Sequence, residues 1–475
     1  MMGIYLITSF IISGWLFFNR NKILNYSLVI LYLLLQCSFT LYEFLHPNVT
    51  SLVYFTADSL AVLMLATLTI ISIPAMYHSY KYLQSKEDVP RHTGIYFSSM
   101  VLLLTAISAV YLSNHIAVTW IFVELSTLSA SALIYHRRNN RSLEGTWKYV
   151  FVCAISITLV FIGILFLSFA CQLAGTSDLS YNNVFNKAAT LNQFWMRLAF
   201  IFIFTGFTAK LGLVPMYTAG IDAKDKAPSP AGAILSSVLM NMGFVAIFRF
   251  YIAISHTSLH NWANHIILIA ALLSIFVATV YMTKVKNIKR MFAYSSIEHM
   301  GIVMLGIVGG GIGYYAAILH IILHAFAKSG LFFQMGQVYR TYQSKSIYDV
   351  GNYFKYNLTG AIVMLLSFFI VTAMPPSGLF ISEFFVFRSL FESNYLPVLI
   401  IVLVLLTMII WAFGKNMFKL IFSPPVDFND SHLEKIRPSE SLSQFILIGL
   451  VIYLGINPPA TFVMMIQDAI KNLPH

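Results

Sequence analysis

Long apolar stretches alternate with short polar segments along the whole chain. An apolar stretch of about 20 residues is long enough to cross a bilayer as a helix. About fourteen such stretches occur, at approximately 3–19, 25–45, 52–77, 94–112, 115–135, 148–172, 195–220, 229–254, 262–284, 290–310, 312–337, 357–394, 396–421 and 442–457. This pattern predicts an all-α, polytopic membrane protein with about 14 transmembrane helices.

Proline and glycine interrupt two of the predicted spans. The seventh span contains Gly212 and Pro215, and the twelfth contains the run MPPSG at 374–378. Interruptions of this kind leave backbone groups unpaired, which is tolerated at membrane depth only inside protein or beside a wet cavity. Ion carriers form their sites near the bilayer midplane with such discontinuous helices. We therefore predict that both spans are broken helices close to a functional site.

The predicted spans also suggest an internal repeat. Spans 4–8 and spans 9–13 each contain five crossings with one broken helix, so the second set begins in the opposite orientation. This layout predicts two inverted five-helix repeats. The corresponding divisions of the chain are 1–93 for the first three helices, 94–254 and 255–421 for the repeats, and 422–475 for a cytoplasmic loop, the last helix and a short tail.

Composition supports a membrane protein, and the placement of charge predicts its orientation. The chain has 475 residues, of which 58% are hydrophobic and 10% are charged. Of the 29 lysines and arginines, 22 lie in loops after odd-numbered spans or at the span ends beside them, three lie in loops or ends on the other side, and four lie well within spans. The positive-inside rule therefore places the odd-numbered loops in the cytoplasm and both termini outside. The net charge of +11 reflects this topology and does not indicate a nucleic-acid partner.

No sequence feature indicates a bound cofactor or metal. Cys37 lies in the second span, and Cys153 and Cys171 lie near opposite ends of the sixth, without the paired spacing that a metal or an iron–sulfur cluster requires. The chain also lacks a Walker loop and a dinucleotide-binding fingerprint. We therefore predict no cofactor, no metal and no catalytic residues in this chain.

Two ionisable residues lie at mid-depth in the predicted spans of the N-terminal half. Lys210 lies beside the first break, and a lysine at bilayer depth costs roughly 2.5–3.5 kcal/mol. Glu124 lies midway along the fifth span and needs a cation, for which Lys210 is the nearest candidate. Two alternatives remain: a kinked structural helix with a snorkelling lysine, and a protonated Glu124 that forms an interhelical hydrogen bond. Asp58 lies near a span end, where a structural role is as plausible as a functional one.

Titratable residues recur along one face of the eleventh span. His320, His324 and Lys328 recur at i, i+4 and i+8, which places them on one helix face over about 12 Å. Such a stripe can pass protons, because histidine titrates near neutral pH. Haem binding would require a facing histidine on another helix, and His299 alone is weak support for it. Glu383 follows the second break, as Lys210 adjoins the first.

Five motifs resemble those of one known family. They are WIFVELSTLS around Glu124, TAKLGLVPMYTAGIDAKDKAPSP around Lys210, KNIKRMFAYSSIEHMG at 286–301, ILHIILHAFAKSGLFF around Lys328 and PPSGLFISEFF around Glu383. In these motifs, and over nearly its whole length, the chain resembles the antiporter-like proton-channel subunits of complex I, Mrp cation/proton antiporters and membrane-bound group 4 hydrogenases. The SSIEHMG run and Asn241 are most similar to the hydrogenase-4 component F branch.

The resemblance implies roles for individual residues. It implies that Glu124 pairs with Lys210 and that this pair drives protons along a central polar axis. Asn241 stands where many complex I members have a second lysine on the eighth helix. The resemblance further implies that His320, His324 and Lys328 relay protons and that Glu383 is the exit-side group. The accessory candidates are Asp58, Asp222, Glu298 and His299.

The resemblance also implies a function and partners. We expect a non-catalytic, proton-translocating subunit of a redox-driven complex in the cytoplasmic membrane of a bacterium or archaeon. The expected complex is a group 4 hydrogenase or a formate hydrogenlyase-like assembly, with further membrane subunits and a peripheral redox arm. The alternatives are an Mrp-type antiporter subunit and a complex I antiporter-like subunit. A structural scaffold with a decayed polar axis is a further alternative, but the presence of all these ionisable residues opposes it.

The predicted topology can be tested by cysteine labelling. Cysteines introduced near Asn139 follow the fifth span, so they are expected to react with a membrane-impermeant thiol reagent only from the cytoplasmic side. The measurement compares labelling of intact cells with labelling of inverted vesicles. Labelling from outside intact cells would overturn the predicted orientation.

Overall fold

A computed structural model describes residues 1–84, 89–425 and 436–474. The α-helices of these residues, in chain order, are α1 (Met2–Phe18), α2 (Lys22–Leu45), α3 (Ser59–Gln84), α4 (Pro90–Leu112), α5 (Ile116–Ile134), α6 (Asn140–Leu173), α7 (Tyr181–Asn186), α8 (Gln193–Leu211), α9 (Thr218–Lys226), α10 (Ser229–Ser236), α11 (Val238–Ser255), α12 (His260–Lys284), α13 (Ile288–Gly309), α14 (Ile312–Tyr342), α15 (Tyr353–Tyr356), α16 (Leu358–Val371), α17 (Gly378–Glu392), α18 (Leu396–Phe422), α19 (Leu442–Ile456) and α20 (Ala460–Ile470). A two-stranded antiparallel hairpin, β1 (Thr50–Ser51) and β2 (Phe55–Thr56), connects α2 to α3.

The helices follow the predicted spans in order, which confirms the all-α, polytopic fold class. The seventh span consists of α8 and α9, and the twelfth consists of α16 and α17. Within the described residues, 12 helices are long and apolar enough to cross a membrane, whereas α1 and α16 are shorter apolar helices. The total of about fourteen crossings therefore remains a prediction.

The two breaks lie where proline and glycine interrupt the apolar pattern. Gly212 ends α8 with a positive φ of 85°, and its N–H donates to the Thr208 carbonyl at 2.7 Å. At the second break, the Met374 N–H donates to the Phe369 carbonyl at 2.9 Å. These two hydrogen bonds pair backbone groups at the breaks inside the protein, as the membrane interior requires. Each span can change direction beside a charged residue at low cost.

The chain forms two compact units. Unit 1 comprises Met1–Ala231, Val238–Ile266 and Thr461–His475, and unit 2 comprises Gly232–Ser237 and Ile267–Ala460. The predicted division into repeats at 94–254 and 255–421 follows crossings rather than contacts, and it remains a prediction.

A buried polar cluster joins the first four helices of unit 1. Tyr5 on α1 donates its hydroxyl to Gln36 Oε1 on α2 at 2.5 Å. Gln36 in turn donates through Nε2 to Thr69 Oγ1 on α3 at 3.1 Å and to Ser108 Oγ on α4 at 3.4 Å. Because neighbouring lipid and side chains are equally apolar, such interhelical hydrogen bonds help to define how membrane helices associate. The cluster holds the N-terminal helices in register.

Small residues allow α6 and α8 to pack closely. A Cβ atom added at Gly206 would lie 2.4 Å from the Ser156 carbonyl oxygen and 2.4 Å from Val160 Cγ2. Gly163 on α6 also has a close neighbour, with a hypothetical Cβ 2.7 Å from Ile203 Cγ1. Close backbone approach at small residues is a general feature of helix packing in membranes. This contact fixes α8, and therefore Lys210, against α6.

In unit 2, the two most deeply buried helices are adjacent in sequence. The apolar windows of α13 and α14 are both 100% buried inside the protein. The helices α16, α17 and α19 also pack on α14. A Cβ atom added at Gly306 on α13 would lie 2.8 Å from the Gly313 carbonyl oxygen on α14, so the two backbones approach closely there. Ionisable residues on these two helices therefore face protein.

The close contact between α6 and α8 predicts a selective cost for added volume. Gly206→Ala places a methyl group against a backbone oxygen that cannot move without shifting α6, and overpacking of this kind costs about 1–3 kcal/mol. Gly14→Ala is the matched control, because a Cβ atom there has no neighbour within 4 Å. We expect Gly206→Ala to lower the thermal unfolding midpoint in detergent and Gly14→Ala to leave it unchanged or raise it. Equal midpoints for the two variants would contradict this account of the packing.

Candidate functional site

Lys210 lies inside unit 1 with neutral hydrogen-bond partners. Its side chain is only 6% exposed. The Nζ atom donates to Thr127 Oγ1 on α5 at 2.7 Å and to the Tyr149 hydroxyl on α6 at 3.0 Å. It also lies 5.1 Å from the centre of the Tyr149 ring. The burial of the ammonium group excludes the snorkelling alternative.

Glu124 lies near Lys210 without touching it in this conformation. Glu124 and Thr127 are three residues apart on α5, so both side chains face the same direction. Among the described residues, no salt bridge includes Glu124 or Lys210, and Glu124 Oε2 is buried without a hydrogen-bond partner. Thr127, which accepts the hydrogen bond from Lys210 Nζ, lies one turn along α5 from Glu124. The structure therefore brings the two groups to one site but holds them apart.

Asn241 on α11 lies close to the same region of unit 1. A Cβ atom added at Gly243 would lie 2.4 Å from the Leu211 backbone nitrogen, so α11 contacts α8 directly beside Lys210. Asn241 is fully buried and donates through Nδ2 to Met64 Sδ at 3.7 Å. Its Oδ1 has no hydrogen-bond partner in the described part of the chain. An unpaired buried carbonyl can accept a hydrogen bond from water.

Sequence analysis missed one buried lysine near this group. Because Lys224 follows the seventh span, the positive-inside rule places it among the basic residues of a cytoplasmic loop, but the structure places it in α9 with 3% exposure. Its Nζ donates to Met240 Sδ at 3.0 Å. The sequence contains a signal for this burial, because Lys224 lies just after the break in the seventh span, where polar residues need not face water. The positive-inside rule counts charges by loop and does not consider whether a residue lies beside a broken helix.

The ionisable residues of unit 2 form a second buried cluster, centred on His299. His299 Nδ1 lies 3.1 Å from His320 Nε2 and 3.9 Å from Glu383 Oε1. The His299 ring also lies 5.1 Å from the His324 ring, measured between centres. His320 contacts Ser382 Oγ through Nδ1 at 2.9 Å. His299, an accessory candidate by sequence, is thus the residue that connects α13, α14 and α17.

Lys328 and Glu298 extend this cluster along α13. Lys328 donates to Ser295 Oγ at 2.7 Å, and Glu298 Oε2 lies 3.8 Å from His299 Nε2. Ser295, Glu298 and His299 occupy positions i, i+3 and i+4, so they share the face of α13 that meets α14. The predicted stripe on α14 therefore has a polar counterpart on α13. Together the two faces bury ionisable and hydroxyl side chains side by side in unit 2.

Three donor atoms of the unit 2 cluster are close enough to share one ion. One atom each of His299, His320 and Glu383 lies within 4.8 Å of the others, and all three residues are buried. Two imidazoles and a carboxylate form a donor set that divalent transition metals accept. The same spacing also suits direct proton exchange between imidazoles, which requires no ion.

Two accessory candidates lie away from both clusters and have ion partners. Asp58 Oδ2 accepts from Arg249 Nη2 at 2.8 Å, and Asp58 Oδ1 accepts from the Ala61 N–H at 2.7 Å. Asp222 lies 3.9 Å from Lys148 Nζ. Asp58 thus pairs with the guanidinium of Arg249 and also accepts from the first turn of α3, which is a structural role. The structure places neither aspartate in the Lys210 or the His299 cluster.

The fold and these two clusters define a polytopic helical membrane protein that buries chains of ionisable side chains in its interior. Residues 113–410 match the family described as "NADH:quinone oxidoreductase/Mrp antiporter, TM". The matched segment includes most of the chain, from the start of α5 to α18. The chain belongs to this family of antiporter-like membrane subunits.

Individual relatives agree with this assignment. The chain is 29% identical over 376 residues to the "Hydrogenase-4 component F homolog" of Methylacidiphilum infernorum (isolate V4), covering 78% of each chain. It is 27% identical over 342 residues to "NADH-quinone oxidoreductase subunit N" of Azobacteroides pseudotrichonymphae genomovar. CFP2, covering 71% of this chain and 69% of the relative.

A solved structure shares the fold. A chain of the membrane-bound sulfane sulfur reductase (MBS), an archaeal respiratory membrane complex, superposes with a TM-score of 0.87 at 19% sequence identity. The alignment covers 99% of this chain and 96% of that chain. The similarity therefore extends over the whole fold, including both broken helices.

Proposed function

We propose that this chain translocates protons as a membrane subunit of a redox-driven complex, of the group 4 hydrogenase or formate hydrogenlyase-like type. The observation that carries the proposal is the environment of Lys210, a buried ammonium group held by two hydroxyls. A group with this geometry can bind and release one proton without losing a carboxylate partner. The hydrogenase-4 component F homolog among its relatives supports the choice of complex.

The proposed gate is the distance between Glu124 and Lys210. Separating opposite charges from about 4 to 8 Å at an effective dielectric near 20 weakens their attraction by about 2 kcal/mol. Such a change is large enough to shift a lysine already destabilised by burial between its charged and neutral forms. The conformation described above, with Lys210 bonded to hydroxyls, corresponds to the separated state. A charge change in a neighbouring subunit would drive the transition.

Unit 2 supplies the second half of the proposed function. His320, His299 and Glu383 are in contact or near contact, and Lys328 lies at the other end of the α13–α14 face. Protons can pass along such a chain by exchange between imidazoles and hydroxyls. We propose that protons pass through this cluster, with Glu383 as its terminal group.

We further propose the orientation and the partners. The odd-numbered loops face the cytoplasm, both termini lie outside, and the membrane is the cytoplasmic membrane of a bacterium or archaeon. Other membrane subunits and a peripheral redox arm complete the assembly, because the chain contains no redox cofactor motif of its own. An Mrp-type or complex I assembly is the second candidate, supported by the family description and by the subunit N relative.

Substitutions at Lys210 test the function directly. Lys210→Ala is expected to abolish ion translocation by the assembled complex in proteoliposomes, because no group remains to take up the proton. Lys210→Arg is expected to fail equally, since arginine keeps its proton. Glu124→Gln should reduce translocation by removing the charge that tunes the lysine. Lys148→Gln is the control, because that lysine is 56% exposed.

Assembly and driving force are measured on the same samples. Native electrophoresis should show intact complexes for every variant, so that a loss of translocation is not a loss of assembly. Translocation at the wild-type rate by Lys210→Arg would exclude reversible deprotonation and make Lys210 a fixed charge. Translocation driven by a sodium gradient without an electron donor would favour the Mrp-type assembly.

The position of His299 predicts a comparable defect from unit 2. His299→Asn removes the group between His320 and Glu383 while keeping a polar side chain of smaller volume. A positioned acid–base group contributes about 10²–10⁴-fold to proton-transfer rates, so translocation should fall by at least about tenfold. His265→Asn is the control, since His265 is exposed on α12. Wild-type translocation by His299→Asn would remove this residue from the pathway.

A further inference from the structure

Within the described residues Lys224 has no carboxylate partner, unlike its neighbours Lys226 and Lys148. Lys226 pairs with Asp225 at 2.8 Å and is 25% exposed, and Lys148 pairs with Glu144 at 2.5 Å and is 56% exposed. Lys224 is 3% exposed, and within the described residues it forms no salt bridge. A buried ammonium without a counter-charge is costly and is rarely retained for structure alone. Its position therefore calls for a functional explanation.

The local sequence of α9 makes room for this side chain. A Cβ atom added at Gly220 would lie 3.6 Å from Lys224 Cε and 3.7 Å from its Nζ. The lysine thus extends back along its own helix, over the turn that precedes it, as helical side chains generally do. That direction leads toward the break between α8 and α9, where Lys210 lies.

Met240 connects the two lysine regions. Its Sδ atom accepts from Lys224 Nζ at 3.0 Å, and its methyl carbon would lie 2.9 Å from a Cβ atom on Gly212. Gly212 is the residue that ends α8, two positions after Lys210. A thioether is a weak acceptor, so it holds the ammonium less firmly than a carboxylate would. The contact can break when the lysine loses its proton.

The helix that carries Met240 has no titratable group at this depth. Asn241 follows Met240 on α11, and an amide does not take up a proton near neutral pH. A proton released at Lys210 can therefore be taken up within unit 1 only by a group on a helix other than α11. The only buried lysines of unit 1 in the described ranges are Lys210 and Lys224.

From this geometry we propose that Lys224, on α9, is a second proton-exchanging lysine of the pathway. The proposal rests on the proposed function. In the exchange, the ammonium of one lysine loses a proton and its N–H bond breaks. Water carries the proton, and the neutral amine of the other lysine forms the new N–H bond. Charge and proton number are conserved, and no further reactant takes part.

The experiment compares three substitutions at Lys224 in the full complex reconstituted in proteoliposomes. Lys224→Met keeps the length of the side chain and removes the exchangeable proton. Lys224→Arg keeps the charge but not the exchange, and Lys224→His keeps an exchangeable proton on a shorter side chain. Protons translocated per electron-donor turnover are measured for each variant, with Lys226→Met as the matched control.

We expect Lys224→Met and Lys224→Arg to lose at least about tenfold in protons per turnover. Lys224→His should exceed Lys224→Arg, and Lys226→Met should equal the wild type. Native electrophoresis identifies any variant that fails to assemble, and Lys224→Arg then decides the result, because it retains both charge and stem. Wild-type translocation by Lys224→Arg, or by Lys224→Met, would overturn the proposal.

The outcome also separates this proposal from the proposed function. A wild-type complex that translocates no protons would refute the function itself. A wild-type complex that translocates protons, with Lys224→Arg equal to or better than Lys224→His, would refute only the role of Lys224.

Discussion

The ammonium group of Lys210 lies within the membrane-spanning part of unit 1 and is held by two hydroxyls. A lysine at this depth costs about 2.5–3.5 kcal/mol on insertion scales. A hydrogen bond to a charged group contributes about 1.5–3 kcal/mol. The two hydrogen bonds that Lys210 donates to Thr127 and Tyr149 therefore offset the cost of burial without a direct ion pair. The charge is tolerated, yet neither bond fixes it as a carboxylate contact would.

This requirement explains the architecture around the lysine. The hydroxyls come from α5 and α6, so α8 must lie close to both helices. Gly206 and Gly163 allow that approach on the α6 side, and Gly243 allows α11 to contact the end of α8. The break after Leu211 then ends the helix one residue beyond the lysine, and the Gly212 N–H donates to the Thr208 carbonyl of the last turn. Packing, break and charge thus depend on one another.

The two units bury ionisable groups with different chemistry. In unit 1 the buried lysines contact hydroxyl and thioether groups, so the exchangeable protons lie on the amines themselves. Unit 2 uses imidazoles and carboxylates in near contact, where one proton can be shared among several groups. His299 lies in the centre of that set because α13 presents Ser295, Glu298 and His299 on one face. Lysines suit a gate that opens and closes, and imidazoles suit onward transfer.

Hydropathy and helical periodicity alone determined the class of fold, the order of the helices and the two breaks. Span length is set by bilayer thickness, and proline and glycine interrupt helices wherever they occur. Periodicity also determined that His320, His324 and Lys328 share a face of α14. It could not determine which helix that face meets, because contacts between helices depend on the fold of the whole unit. Only the tertiary structure therefore brought His299 to the centre of a cluster and paired Asp58 with Arg249. It also separated Glu124 from Lys210 and placed Lys224 in the interior rather than in a loop.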